Sequence, residues 1–317
     1  MANSSFYQKI VSISPHVEML ARRLYYAIPD SIRRKRFQKK KNIPIHNKAN
    51  FSNILNYIKS KGLKKDDILI VHSSFSELKK FNLSPSEIID ELLGLCGSKG
   101  TLAMPAMAIY PNKLPNSNIT DAELINKKYT YDVDSTKIWT GILPKEMIKR
   151  DESIRSRHPL NTMVAIGPKA KEMMNDNEND PYPNGSKSSW NYCRVNSAFV
   201  IGLGTDLTHS LTMIHVAEDI KESAWYVNNW YHDRVFCIKD KEKIVDIKVK
   251  ERRAKWGKLH FGERNLASDL INDNIMESLI IQDTLLESLR ADKLIDYLNM
   301  RNSSGYPYFW VKRYLKK

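Results

Sequence analysis

Thr212, His215 and Glu218 follow one another at a spacing of three in the stretch Leu211-Thr212-Met213-Ile214-His215-Val216-Ala217-Glu218. On a helix that spacing puts a hydroxyl, an imidazole and a carboxylate on one face, together with Leu211. An imidazole whose second nitrogen is held by a carboxylate is a general base that works near neutral pH. The same groups can equally satisfy one another inside a core, because buried polar atoms are hydrogen-bonded. Zinc chemistry has little support, since the H-E-x-x-H pattern is missing and no cysteine lies nearby. Two further clusters carry polar chemistry. His72-Ser73-Ser74 closes the apolar run 68–71, at the strand end where α/β sheets offer backbone N–H groups to ligands. Arg155-Ser156-Arg157-His158-Pro159 offers guanidiniums able to pair with phosphate. The plainer readings are a strand-end turn with capping hydroxyls and a pair of solvated arginines. Gly202-x-Gly204 is no dinucleotide fingerprint, because Leu207 stands where the third glycine belongs, and neither a P-loop nor a G-x-S-x-G elbow is present.

These groups need elements to hold them. Strands are predicted over 68–71, 101–104, 162–166 and 198–204, and helices over 140–150, 168–174, 207–222, 266–272 and 292–300. Ser84-Pro85-Ser86-Glu87 reads as an N-cap, a first-turn proline and a capping-box glutamate ahead of Ile88, Ile89, Leu92 and Leu93. Residues 235–238 and 244–249, joined by Asp240-Lys241-Glu242-Lys243, read as a hairpin, and 279–282 as a short apolar run. The polar stretches 110–135 and 175–189 read as long loops, which in compact enzymes usually shape a substrate site. Alternating strand and helix patterns indicate an α/β domain with a largely buried sheet.

Composition sets the outer bounds. The chain has 317 residues, 42% of them hydrophobic, enough for one substantial core. Cys96, Cys193 and Cys237 lie far apart with no C-x-x-C pair, which favours a reducing compartment. The first residues lack the apolar run of a signal peptide, and no stretch approaches the ~20 apolar residues that cross a bilayer, so a cytoplasmic protein is expected. The net charge is +14, but residues 22–48 hold ten basic residues against Asp30 alone, a local +9 that leaves +5 for the rest. Residues 1–48 are therefore expected to form a basic, amphipathic helical extension ahead of one main domain over 49–317. That extension either packs on the body or touches an anionic membrane surface, where each Lys or Arg contributes ~1 kcal/mol. Because the charge is confined to one segment, no specific nucleic-acid partner is expected.

Several segments then fall into a known order. Ile68-Leu69-Ile70-Val71-His72-Ser73-Ser74, Gly100-Thr101-Leu102-Ala103-Met104-Pro105, Thr140-Gly141-Ile142-Leu143-Pro144, Arg155 to Pro159 with Ala165-Ile166-Gly167, and the Gly202-to-Glu218 block with its T-x-x-H-x-x-E core resemble the aminoglycoside 3-N-acetyltransferase family. The resemblance implies a central mixed sheet flanked by helices. It implies acyl transfer from acetyl-CoA, or another acyl-CoA, to an amine on a sugar or cyclitol ring, without a covalent acyl-enzyme. His215 is then the base. Its acidic partner is expected downstream at Glu263, by spacing from Leu266 and Leu270, with Glu218 in reserve. The coenzyme is expected along His72, Ser73, Ser74 and Thr212, with Arg155 and His158 assigned to it as well. Oxyanion donors are expected from backbone N–H groups of the Ser73-Ser74 turn or the Thr212 hydroxyl. A positively charged body and tail repel a polycation. An amino-sugar acceptor, as in surface-polysaccharide synthesis, is thus expected ahead of an aminoglycoside, and a silent coenzyme-binding scaffold is the reading from another class.

Overall fold

The computed structural model describes residues 10, 11, 13–29, 49–110, 127–220, 225, 227, 229–304 and 308. Its centre is a seven-stranded mixed sheet in the order β4 (Ile154–Arg155), β5 (Met163–Ile166), β2 (Thr101–Pro105), β1 (Ile68–Ser73), β6 (Phe199–Leu203), β10 (Thr284–Arg290) and β9 (Met276–Ile281). β1 runs parallel to both β2 and β6, whereas β5 and β10 run antiparallel to their neighbours. Alternation along the strands divides the core into two layers. Leu69, Val71, Leu102, Met104, Phe199 and Ile201 point to the face covered by the helices Phe51–Ser60 and Pro85–Cys96. Ile68, Ile70, Ala103, Met163 and Val200 point to the opposite face, covered by Ser189–Val195, Ala291–Ser303 and the stretch around Met213 and Val216.

The chain leaves β1 toward β2 and leaves β6 toward the other side, so a crevice opens between their carboxyl ends, where open α/β sheets take ligands. Local sequence explains the entry to the Pro85–Cys96 helix. Glu87 accepts the Ser84 N–H at 2.7 Å while Ser84 Oγ accepts the Glu87 N–H at 3.2 Å, the capping box read from the sequence.

A second sheet of three strands, β3 (Lys128–Asp132), β7 (Tyr231–Asp240) and β8 (Lys243–Arg252), lies outside the first. The hairpin is longer than its apolar centre suggested, and its turn places Lys241 in the left-handed region at φ 54°. β3 corrects the reading of 110–135 as loop throughout. Residues 111–126 lie outside the described residues, but Tyr129 and Tyr131 alternate with exposed neighbours and pair in parallel with β7. They build a separate aromatic core with Tyr110 and Phe236, into which the buried Arg234 guanidinium stacks 4.2 Å from the Tyr129 ring centroid.

Other boundaries moved inward or outward by a few residues. The helix expected over 140–150 spans Ile142–Met147, 168–174 narrows to Ala170–Met174, and 266–272 extends back to Glu263–Asn272. The 175–189 loop holds a 3-10 turn at Asn177–Asn179 and ends where the Ser189–Val195 helix begins. Ahead of the body, Pro15–Ala27 forms a helix that packs against Ala254–Leu259 and Glu263–Asn272.

Candidate active site

The segment expected as one helix over 207–222 is broken. It consists of 3-10 turns at Leu207–His209 and Thr212–His215 followed by a single α-turn, Val216–Asp219; residues 221–224 lie outside the described residues. Leu211 takes φ −73° and ψ 74°, which interrupts the helix, and the Thr212 N–H reaches the Ser210 carbonyl at 2.8 Å. The spacing of three still aligns Thr212 with His215, because side chains three apart eclipse in a 3-10 turn. Close packing anchors the start of this segment on the sheet. A Cβ on Gly202 would sit 2.7 Å from the Thr205 carbonyl oxygen and 3.0 Å from Leu207 Cγ, so β6 needs glycine there. The Leu207 N–H donates to the buried Glu287 carboxylate of β10 at 2.7 Å.

His215 Nδ1 lies 2.9 Å from Glu218 Oε1. Burial raises the Glu218 pKa, but His215, Arg252 at 3.8 Å and a hydrogen bond from Trp230 outweigh it and leave the carboxyl below its ordinary range. The carboxylate is thus ionised and accepts Nδ1–H, which leaves Nε2 as the basic nitrogen. Burial first, and the Arg252 charge second, hold the imidazole below its ordinary pKa despite Glu218, so His215 is neutral at pH 7.

Beside Glu218 stands a residue without a signal in the sequence pattern. Asp219 is buried and accepts hydrogen bonds from Tyr231 at 2.5 Å and from the Asn184 backbone and side chain at 3.0 and 2.9 Å. Burial and the Glu218 charge push its pKa up to about 7. Tyr231 also donates to the Glu218 carbonyl at 3.1 Å, so the first strand of the hairpin holds both acids in place. Adjacent acids were visible in the sequence; Tyr231, Arg252 and Asn184, which arrange them, were not.

Glu263 corrects the expected pairing. Its carboxylate is taken by His209 Nδ1 at 2.5 Å and by Arg22 of the Pro15–Ala27 helix, and it opens the Glu263–Asn272 helix. Among the described residues it makes no bond to His215, and the reserve, Glu218, holds that place. The loop spacing that suggested Glu263 contains no information on which of two histidines, His209 or His215, it meets.

The strand-end cluster is only partly as expected. His72, one residue before the end of β1, lies on the face of Ile68 and Ile70, packed 6.3 Å from the Trp190 ring, and burial lowers its pKa to about 4. It points into the core, with Nε2 unpartnered among the described residues. The Ser74 N–H is spent on the Leu203 carbonyl at 3.0 Å, so it is no free oxyanion donor. Ser73 and Ser74 remain partly exposed at the crevice, and Gly141, at φ 116°, leaves the space over the Ser73 carbonyl open. Thr212 Oγ1 makes a single long contact, 3.4 Å to the Ser210 carbonyl.

Arg155 and His158 lie in the fold's interior. Arg155 Nη1 donates to the Val133 and Thr136 carbonyls at 2.9 and 2.8 Å and its guanidinium covers the Tyr131 ring, so it ties the β3 turn to the main sheet. Arg157 pairs with Glu178 and Asp240 at 2.7 and 3.2 Å. His158 is buried with Nδ1 accepting the Leu160 N–H at 3.1 Å, and desolvation lowers its pKa to about 4. The coenzyme contacts expected of Arg155 and His158 therefore do not fit, because both side chains are buried in the interior.

This arrangement was compared with known proteins. A family model described as aminoglycoside 3-N-acetyltransferase matches residues 70–300. The aminoglycoside N(3)-acetyltransferase IX of Micromonospora chalcea is 28% identical over 169 residues, covering 51% of this chain and 58% of the relative. The prophage-derived aminoglycoside N(3')-acetyltransferase-like protein YokD of Bacillus subtilis strain 168 is 25% identical over 169 residues, covering 51% of this chain and 61% of the relative. The match thus spans less than two thirds of either relative. Among solved structures, aminoglycoside acetyltransferase AAC(3)-Xa superimposes with a TM-score of 0.65 at 18% identity, covering 80% of this chain and 92% of that one. AAC-IIIb, in a binary complex with CoASH, gives 0.67 at 17% identity, covering 81% and 97%. These structures share the fold, and the family model covers most of the sequence: the chain belongs to the aminoglycoside 3-N-acetyltransferase family.

Proposed function

We propose that this chain is an acetyl-CoA-dependent N-acetyltransferase that acylates an amine of an aminoglycoside, with His215 as general base. The observation that carries the reading is the 2.9 Å contact between His215 Nδ1 and the ionised Glu218, in the segment that leaves β6 at the sheet crevice. An ammonium cannot attack a thioester until it loses a proton. A neutral imidazole held in one tautomer, Nε2 free and Nδ1–H bound to a carboxylate, takes that proton, and the carboxylate stabilises the imidazolium that forms. The coenzyme supplies the acetyl group as a thioester, and the proton held on Nε2 is then available to the departing thiolate.

The residues at the crevice fit the amide-bearing arm of such a coenzyme. Ser73 and Ser74 stand at the carboxyl end of β1 with Ser74 Oγ 2.9 Å from Ser76 Oγ, and the strip beside Gly141 is open. Thr212 Oγ1, with its other contact long, is the donor we assign to the developing oxyanion, a role typically worth ~3 kcal/mol. One solved protein of this fold, AAC-IIIb, is a binary complex with CoASH, and another, a mutant of AAC(3)-IVa, is seen with a gentamicin and with apramycin, which supports both halves of the reading.

The family match favours an aminoglycoside over the surface-polysaccharide acceptor expected from charge. One observation favours an acceptor of lower positive charge. Of the acids in the two long loops that could hold a polycation, Asp176 and Glu178 are already paired with Lys187 and Arg157, while Asp132 and Asp180 accept backbone N–H groups and Asp134 is exposed. Thiol release from acetyl-CoA by the purified protein, with panels of 2-deoxystreptamine aminoglycosides and of nucleotide-linked amino sugars, separates the two. Release with the aminoglycosides that disappears in His215→Ala is the expected result. Release with amino-sugar nucleotides alone replaces the acceptor, and coenzyme binding without turnover for any amine replaces the enzyme with a binding module.

A further inference from the structure

The Pro15–Ala27 helix turns a mixed face inward, one apolar side chain between two charged ones. Glu18, Met19 and Arg22 face the body: Glu18 is buried and accepts the N–H groups of Arg264 and Asn265 at 2.9 and 3.0 Å, and Arg22 reaches the Gly257 carbonyl at 3.3 Å and the Glu263 carboxylate. At 100° per residue, Val17, Leu20, Leu24 and Ala27 fall within an arc of ~80° on the opposite side. Leu20 and Leu24 are 60% and 64% exposed, and Ile13, just ahead of the helix, is 72% exposed. A surface helix normally turns its apolar stripe to the core. Here Met19 does pack inward, but the ion pair and carbonyl contact of Arg22 and the bonds of Glu18 hold the helix so that a second apolar strip, with Leu20 and Leu24, faces outward.

The charge that follows this stripe in sequence says what covers it. Residues 22–48 carry ten basic residues and one acid. We propose that the outward face of the Pro15–Ala27 helix docks on an anionic phospholipid bilayer, the helix lying in the plane of the interface with its leucines in the acyl boundary. An apolar stripe joined to a basic run is the pairing that interfacial helices use, apolar area giving depth and the cations giving attraction to acidic headgroups. A second copy of the chain is the weaker occupant. Two copies would bring two such +9 runs together, and a stripe of four or five side chains falls well short of the ~800 Å² per partner of a stable protein interface. No helix among the described residues is long and apolar enough to cross a membrane, which agrees with a surface attachment.

Co-sedimentation of the full chain with vesicles tests this, using phosphatidylcholine alone and equal parts of phosphatidylcholine and phosphatidylglycerol. Binding to the mixed vesicles and not to the neutral ones is expected. The double substitution Leu20→Glu with Leu24→Glu is expected to lower the partition coefficient at least ~10-fold, with the melting temperature and thiol release unchanged. Leu20→Ser with Leu24→Ser gives the same test should the carboxylates disturb the helix. Failure of the wild type to bind mixed vesicles overturns the proposal. So does undiminished binding by both double variants, which would make the basic run alone responsible. A dimer in sedimentation equilibrium that the double substitution dissolves assigns the face to a second copy and also overturns it.

Discussion

Glu218 lies one helical turn beyond His215 and binds its Nδ1 at 2.9 Å, while Arg252 from the outer hairpin lies 3.8 Å from the same carboxylate oxygen. The three groups act on one another in a definite order. Arg252 helps to keep Glu218 ionised, Glu218 fixes the imidazole tautomer, and burial with Arg252 keeps that imidazole neutral. The surroundings of His215 are therefore set by two sheets at once: β6 delivers the His215 segment and the second sheet delivers Arg252 and Tyr231.

The two candidate acids make opposite predictions. Glu218→Gln is expected to lower kcat about 10²–10⁴-fold, because the amide either presents the wrong group to Nδ1 or frees the ring to turn, and neither holds an imidazolium. Glu263→Gln is expected to leave kcat within about threefold and to lower stability instead, since it loses the charge shared with Arg22 and His209. Steady-state kinetics and urea unfolding of the two variants check this; a kcat loss confined to Glu263→Gln would restore the pairing read from spacing.

The pH–rate profile carries a sign that a purely structural role for these residues would not produce. Because the His215 pKa is lowered, the acid limb of kcat/KM is expected below the ordinary histidine value of about 6.5. Arg252 contributes to that lowering, so Arg252→Gln is expected to move the limb to higher pH. Glu218 opposes it, so the residual activity of Glu218→Gln is expected to have its limb at lower pH still. Both variants shifting the same way would show that neither acts through the His215 charge.

The parts legible in the sequence are those decided by short-range pattern. Apolar runs ending at His72 and Gly204 gave β1 and β6, Ser84 and Glu87 gave the cap, and the spacing of three gave the His215–Glu218 pair as an alternative. What could not be read depends on contacts between distant segments. Periodicity alone does not separate an α-helix from successive 3-10 turns over 207–219, because both place every third residue nearly in line. Arg155 and His158 look like surface groups in a polar stretch, yet both are buried, Arg155 with its guanidinium over the Tyr131 ring. Which acid met which histidine rested on the position of the Pro15–Ala27 helix, whose Arg22 takes Glu263 from across the chain.

Two interior histidines predict how stability falls in acid. His72 and His158 have folded-state pKa values of about 4, below the unfolded value of about 6.5, both through desolvation. Between those values the unfolded chain binds more protons, so stability rises with pH and is lost as pH falls from about 6.5 to about 4. Each histidine accounts for roughly 3 kcal/mol of that loss. His158→Asn keeps an acceptor for the Leu160 N–H without the titration and is expected to flatten the slope of unfolding free energy against pH by about one proton. An unchanged slope would show that the protonated ring is tolerated in place.

Glu18 is a helix cap supplied from the far end of the sequence. Its carboxylate accepts the Arg264 N–H at 2.9 Å, the Asn265 N–H at 3.0 Å and Asn265 Nδ2 at 2.7 Å, at the start of the Glu263–Asn272 helix. A helix N-terminus leaves its first N–H groups without intrahelical partners and carries partial positive charge, so a buried carboxylate there satisfies both. Gly262, the residue ahead of that helix, makes no side-chain cap of its own. Glu18→Ala leaves those donors buried and unsatisfied and is expected to destabilise the protein by about 2–3 kcal/mol in urea unfolding. The kcat of the folded variant is expected to stay within about twofold of wild type, because the hydrogen bonds of Glu18 go to the Glu263–Asn272 helix and Arg22 and not to His215 or Glu218. A loss of under about 0.5 kcal/mol would mean that water replaces the carboxylate at no cost, and that the Pro15–Ala27 helix is only loosely held against the body.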